Sequence, residues 1–258
     1  MQPLAESGIA NLLTDILHYL FRLGADARPE GFDRSGRRAK KIGACTKIEK
    51  PLIQGPAGKL EALLESDPGT NPPLATLVCH PHPVFGGTMH NKVVFHAAKA
   101  AVQLGLPCLR FNFRGVGESQ GEYAEGIGER NDARAALDYL ETRFPQTPVC
   151  VMGFSFGAWV GLAVGADDPR TIAVVGLGLP AGMMDFSFLL DVRKPKLIVQ
   201  GNRDIYGTRD QVEGLFKTLH TPKRLHWVEG GDHFFAGRLD EVQAEISKFL
   251  GEMTPQTR

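Results

Sequence analysis

Apolar and polar positions along this chain follow three patterns, and each predicts a different kind of segment. Over residues 9–23, Ile9, Leu12, Leu13, Ile16, Leu20 and Leu23 recur at helical spacing and make a single apolar stripe. The run that follows, Arg34-Ser35-Gly36-Arg37-Arg38-Ala39-Lys40-Lys41, has no periodicity and reads as a solvated linker. From residue 46 onward, short apolar runs alternate with helical stretches, the signature of a mostly parallel sheet covered by helices. Eight strands are expected: Lys47–Gln54 and Lys59–Glu65, then Leu74–Cys79, Pro107–Phe113, Val149–Phe154, Ile172–Leu179, Lys196–Gly201 and Arg224–Val228. The first two flank Gly55-Pro56-Ala57-Gly58 and should form an antiparallel hairpin. Helices are expected at Lys92–Leu104, Ile127–Arg143, Phe156–Val164, Arg209–Leu219 and Leu239–Phe249. The chain therefore divides into an N-terminal extension, residues 1–45, and an α/β domain, residues 46–258. The stripe in the extension has three open fates: docking on the domain, a homodimer contact, or disorder.

Composition narrows the function classes. At 258 residues the chain suits one large α/β domain. Its 29 Lys plus Arg balance 29 Asp plus Glu, so it lacks the bulk attraction that nucleic-acid and anionic-membrane binders rely on, and no nucleic-acid partner is expected. Cys45, Cys79, Cys108 and Cys150 form no C-x-x-C pair, and the last three fall in apolar runs, as buried thiols of a reducing compartment do. No basic segment precedes the first apolar stretch, Asp15 interrupts it, and no run approaches the roughly 18 apolar residues of a membrane span. A cytoplasmic location without membrane contact is expected.

Two segments match G-x-S-x-G: Gly117-Glu118-Ser119-Gln120-Gly121 and Gly153-Phe154-Ser155-Phe156-Gly157. A nucleophilic serine needs a strand before it, a tight turn that lifts it clear, and a helix whose N-terminus faces the reacting group. Pro148 to Met152 is an apolar strand and Ala158 to Val164 opens a buried helix, so Ser155 meets the requirement. Ser119 lies in a polar, glycine-rich loop with no apolar helix directly after it, and reads as a loop serine shaping the site rim.

A serine hydroxyl also needs a neutral imidazole to take its proton, and a carboxylate to hold that imidazole in the right tautomer. Asp204 follows the apolar strand Leu197–Gly201, and His233 follows the strand that ends Trp227-Val228-Glu229. Both are placed at C-terminal strand ends, where open α/β sheets gather their ligands. Asp210 is the weaker acid because it falls inside the next helix, and His226 the weaker base because it falls mid-strand. An imidazolium cannot accept a proton, so activity is expected to fall in acid.

After Leu74–Cys79 comes His80-Pro81-His82-Pro83-Val84-Phe85-Gly86-Gly87, a place for a backbone oxyanion donor. Pro81 and Pro83 have no N–H, which leaves the N–H groups of His82 and Phe156 as the expected donors. His80, His82, His90 and His96 could instead ligate zinc, but nothing completes a metallohydrolase pattern, and no metal or other cofactor is expected.

These stretches, together with Phe111-Asn112-Phe113-Arg114-Gly115-Val116-Gly117-Glu118-Ser119 and Gly231-Asp232-His233-Phe234-Phe235, resemble the α/β-hydrolase superfamily over residues 47–250. More narrowly, the chain is similar to small bacterial hydrolases related to dienelactone hydrolases and acyl peptidases. Dienelactone hydrolases proper use a cysteine nucleophile, so serine at 155 argues against carrying that activity over. The resemblance implies an α/β-hydrolase fold with an eight-stranded, mostly parallel sheet. It implies hydrolysis of a small or medium carboxylic ester through an acyl-Ser155 intermediate, with thioesters, amides or acyl transfer open to the same apparatus and a non-catalytic binding protein as the other class. Only Pro180 to Lys194 lies between the sixth and seventh strands of that fold, too few residues for a cap domain. An open site follows, with Phe85, Phe154, Phe156, Met183, Met184, Phe186 and Phe188 as expected apolar lining.

Overall fold

In a computed structural model of the protein, residues 46–67 and 71–254 are described. The apolar stripe, the basic linker and Cys45 lie outside them. The strands are β1 (Lys47–Glu49), β2 (Leu52–Gly55), β3 (Gly58–Ser66), β4 (Ala75–Cys79), β5 (Cys108–Phe111), β6 (Val149–Phe154), β7 (Thr171–Leu177), β8 (Lys196–Gly201) and β9 (Lys223–Val228). The helices are α1 (Lys92–Val102), α2 (Ile127–Arg143), α3 (Phe156–Asp167), α4 (Arg209–Thr218) and α5 (Leu239–Met253).

Among the described residues the sheet has nine strands where eight were expected. Its first expected strand breaks at Lys50-Pro51: β1 pairs with Leu64–Ser66 of β3 and β2 with Gly58–Glu61, both antiparallel. Proline has no ladder N–H to donate, and here only its carbonyl is used, accepting from Ala62 N at 3.1 Å. The remaining order is β3-β5-β4-β6-β7-β8-β9, with β4 through β9 parallel. From β4 the chain passes through α1 to β5 on one side, then returns through α2 to β6 on the other. The direction of winding therefore reverses between β4 and β6, which opens a crevice at their carboxyl ends.

Side-chain alternation divides the core. Cys150, Met152 and Phe154 of β6 pack with α1 and α5 on one face, while Val149 and Val151 pack with α2 and α3 on the other. The same parity sends Leu197 and Val199 of β8 to the first face and Ile198 to the second. Cys79, Cys108 and Cys150 are free and buried. Burial pushes all three thiols up, Cys108 to about 12, which makes them inert packing groups. Between β7 and β8 the chain makes one short 3₁₀ turn, Ser187–Leu189, and no further domain. Among the described residues, no helix is long and apolar enough to cross a membrane.

Candidate active site

Ser155 lies between β6 and α3 with φ 56° and ψ −122°, a conformation that costs an L-residue energy and holds only when its surroundings enforce it. Its N–H donates to Leu177 O at 2.9 Å, and its carbonyl accepts from Ala158 N and Trp159 N as α3 begins. The flanking glycines let strand and helix cross this closely. A Cβ on Gly153 would lie 2.2 Å from Gly157 O, and one on Gly157 would lie 2.3 Å from Cys79 O. Both obstacles are backbone, so neither could move aside.

The Ser155 hydroxyl is 3.0 Å from Nε2 of His233, and Nδ1 of His233 is 2.8 Å from Oδ2 of Asp204. A carboxylate can only accept, so Nδ1 carries the proton and Nε2 is left as acceptor for the serine. Asp204 and His233 are almost wholly buried. The other carboxylate oxygen, Oδ1, takes Tyr206 N–H at 2.8 Å and Gly207 N–H at 3.4 Å. Both carboxylate oxygens of this buried side chain are thus hydrogen-bonded.

The loop after β4 turns on itself. His82 O accepts from Phe85 N and Gly87 N, Pro83 O from Gly86 N, and the N–H of Val84 goes to His82 Nδ1. Among the described residues, the N–H groups of His82 and Phe156 donate to no protein acceptor, so both remain available. His80 is fully buried; its Nδ1 donates to Pro81 O at 2.6 Å and its Nε2 accepts from Phe113 N at 3.0 Å. Burial holds the His80 and His82 imidazoles at about 4, so both are neutral near pH 7.

A family model described as an alpha/beta hydrolase domain matches residues 77–253, more than half of the chain. The chain belongs to the α/β-hydrolase family. A structure of an alpha-beta serine hydrolase homologue from Coxiella burnetii superimposes with a TM-score of 0.74 at 39% identity, over 78% of this chain and 97% of that one. A serine hydrolase without a lid from Xanthomonas campestris gives 0.75 at 33%, over 83% and 98%. An uncharacterised protein of Rickettsia prowazekii is 38% identical over 207 residues, 77% of this chain and 87% of the relative.

Within this α/β hydrolase, several expected site residues take other places. Phe154 is fully buried in the core under α1 and α5, because its parity on β6 turns it away from the crevice. Its ring is 5.1 Å from that of His233, so it backs the imidazole and does not line a pocket. Phe186 is also core, packed with Ala158, Leu162, Val174 and Ile198. Met183 stays exposed on the loop after Pro180. Phe85 is half-buried, its ring 4.5 Å from that of His82. Ser119 donates to Asn112 O at 2.7 Å and accepts from Glu61 N at 2.9 Å, tying its loop to β3. Asp210 is exposed in the first turn of α4, and His226 Nε2 is 2.9 Å from Glu241 on α5. His90 is exposed and His96 bonds Gln243, and among the described residues no three His, Cys, Asp or Glu side chains gather as a metal site.

Three neighbours of the site escaped sequence reasoning. Gln200 bonds Asp204, Tyr123 bonds His82, and the Tyr206 ring meets that of His233 edge-on at 4.7 Å. Gln200, a lone polar side chain at the end of an apolar strand, was the one signal available.

Proposed function

We propose that the protein is a serine hydrolase that cleaves small to medium carboxylic esters through an acyl-Ser155 intermediate. The observation that carries this reading is the unbroken relay from Ser155 Oγ to His233 Nε2 at 3.0 Å and from His233 Nδ1 to Asp204 at 2.8 Å. As the serine oxygen attacks the ester carbonyl, its proton moves to Nε2, and the imidazolium so formed is stabilised by Asp204. The negative charge on the carbonyl oxygen is met by the N–H groups of Phe156 and His82, each worth about 10²–10³ in rate. His233 then returns the proton to the departing alcohol, and a water repeats the sequence on the acyl-enzyme to release the acid. No step requires a cofactor. The short β7–β8 connection supports a site open to solvent. Inert buried thiols support a reducing, cytoplasmic setting.

Ser155→Ala against a panel of p-nitrophenyl esters, with fluorophosphonate labelling of the wild type, tests the reading. Turnover should vanish in the variant and label should attach at Ser155. Turnover that survives the substitution, or a wild type that takes no label, would overturn the mechanism in favour of a binding protein or another chemistry. A panel that varies acyl and alcohol parts separately, with thioesters and amides included, sorts the substrate class.

A further inference from the structure

His82 caps a single 3₁₀ turn, Pro83–Phe85, that joins neither the sheet nor a longer helix, yet an oxyanion donor works only within a few tenths of an ångström of its target. Something must fix its register. The N–H groups of Val84, Phe85, Gly86 and Gly87 are all turned inward and Pro83 has none, so from His82 to Gly87 the His82 N–H alone has no acceptor among the described residues. Its direction depends on the His82 ring, which is held at both nitrogens. Nδ1 accepts the Val84 N–H at 3.2 Å and so lacks a proton; Nε2 therefore carries one and donates to the Tyr123 hydroxyl oxygen at 3.1 Å. The ring lies 4.8 Å from Phe156 and 5.0 Å from Tyr123, between the two elements it would have to align.

Tyr123 is itself anchored. The buried Glu129 carboxylate takes the N–H groups of Ala124 at 2.9 Å and Gly126 at 2.7 Å, one and three residues past Tyr123. Upstream, Arg114 forms a two-pronged pair with buried Asp132, at 2.9 and 2.7 Å. Both carboxylates stand on α2, so the Tyr123 loop is pinned to that helix on either side.

We propose that Tyr123 is a positioning residue for the oxyanion donor, acting through the His82 ring to hold the His82 N–H in line with that of Phe156; this rests on the acyl-serine reading above. Tyr123 touches no reacting atom in this scheme. Val84 N–H fixes the His82 tautomer, the Tyr123 hydroxyl holds the ring in its rotamer, and the ring steadies the loop.

Tyr123→Phe keeps the ring packing and removes only the acceptor. For p-nitrophenyl butyrate, kcat should fall about five- to tenfold, the range of one hydrogen bond, with KM within about twofold. His82→Ala retains the backbone donor but lacks the ring, and adding Tyr123→Phe to it should cost nothing further. In ¹⁵N spectra, His82 should be protonated at Nε2 in the wild type and should keep that tautomer in Tyr123→Phe, because Val84 N–H still occupies Nδ1, while its Nε2 resonance shifts as the hydrogen bond is lost. Wild-type kinetics in Tyr123→Phe, a rise confined to KM, or additive losses in the double variant would overturn the proposal. If Tyr123→Phe does not melt cooperatively, the wild-type spectrum decides, and a His82 protonated at Nδ1 overturns it. Ser155→Ala run alongside separates the two readings. Turnover surviving there removes the oxyanion role together with the acyl-serine mechanism, whereas a dead Ser155→Ala with an unaffected Tyr123→Phe removes the positioning role alone.

Discussion

Gln200 Nε2 donates to Oδ2 of Asp204 at 2.8 Å, the same oxygen that receives the proton-bearing Nδ1 of His233. The glutamine is fully buried at the end of β8. Its amide nitrogen lies within reach of Gly207 O at 3.1 Å, and its oxygen accepts Leu179 N–H at 2.7 Å. One side chain thereby joins the acid's loop to the end of β7.

Gln200→Leu should therefore impair both stability and chemistry. It strands the buried Leu179 N–H and removes a donor from Asp204, a loss of about 1–3 kcal/mol in stability. With Asp204 and the imidazole less firmly held, kcat/KM on a p-nitrophenyl ester should fall at least about tenfold. Urea denaturation and steady-state kinetics read the two effects; normal kcat/KM in a folded variant would show that Asp204 needs no such support.

The two G-x-S-x-G segments predict opposite phenotypes. The Ser119 hydroxyl donates to Asn112 O and accepts from Glu61 N–H, so Ser119→Ala should lower stability by about 1–3 kcal/mol and leave fluorophosphonate labelling intact. Ser155→Ala should abolish labelling while melting close to wild type. Label found on Ser119 would reverse the assignment.

Glycines separate in the same way. Gly157→Ala places a Cβ 2.3 Å from Cys79 O and 2.4 Å from His80 O, so β4 and α3 must part and the serine must move. Loss of soluble protein, or at least about a hundredfold loss of kcat, is expected. Gly214, exposed within α4, has nothing within 4 Å of an added Cβ. Gly214→Ala should raise stability by about 0.5–1 kcal/mol through helix propensity, with activity unchanged. A mild Gly157→Ala would mean that the elbow tolerates a gap between strand and helix.

What could be read from the chain follows from which signals are local. β6, β8 and α2 coincide with their expected bounds because apolar runs and helical periodicity are set by neighbours in sequence. Ser155, Asp204 and His233 could be named as candidates because open α/β sheets gather ligands at strand ends, which are marked by where an apolar run stops, and the structure brings the three within hydrogen-bond reach of one another. The division of Lys47–Gln54 at Pro51 went unseen because both halves pair with the same partner strand and share its pattern. Phe154 and Phe186 were misassigned for a different reason: aromatic character says that a side chain is buried, and only parity and packing say against which face. Gln200 and Tyr123 reach their partners through the folded sheet, and no spacing along the chain records that.

The neutral, buried histidines tie stability to pH in a definite direction. His80 is held at about 4 in the folded protein against 6.5 for a free imidazole, and its Nε2 is the acceptor for Phe113 N–H. A proton on Nε2 would set two N–H groups against each other where β4 and β5 end. Below 6.5 the unfolded chain takes up this proton and the folded one does not, so stability is complete above that value. It declines as pH falls toward 4, and levels off once the native state also binds the proton. A shift of this size is worth about 3 kcal/mol for His80. His82, shifted to about 4 by the same cause but half-buried, adds less, and His96 is lowered as well. The urea midpoint should thus be flat above pH 7 and should drop between pH 6.5 and 5, above the range where most carboxylates titrate. Over that same interval the C2 proton of His80 should keep its neutral chemical shift. A flat midpoint combined with a His80 that titrates near 6.5 would show that the imidazole is not held neutral, and that its bond to Phe113 does not join the two strand ends.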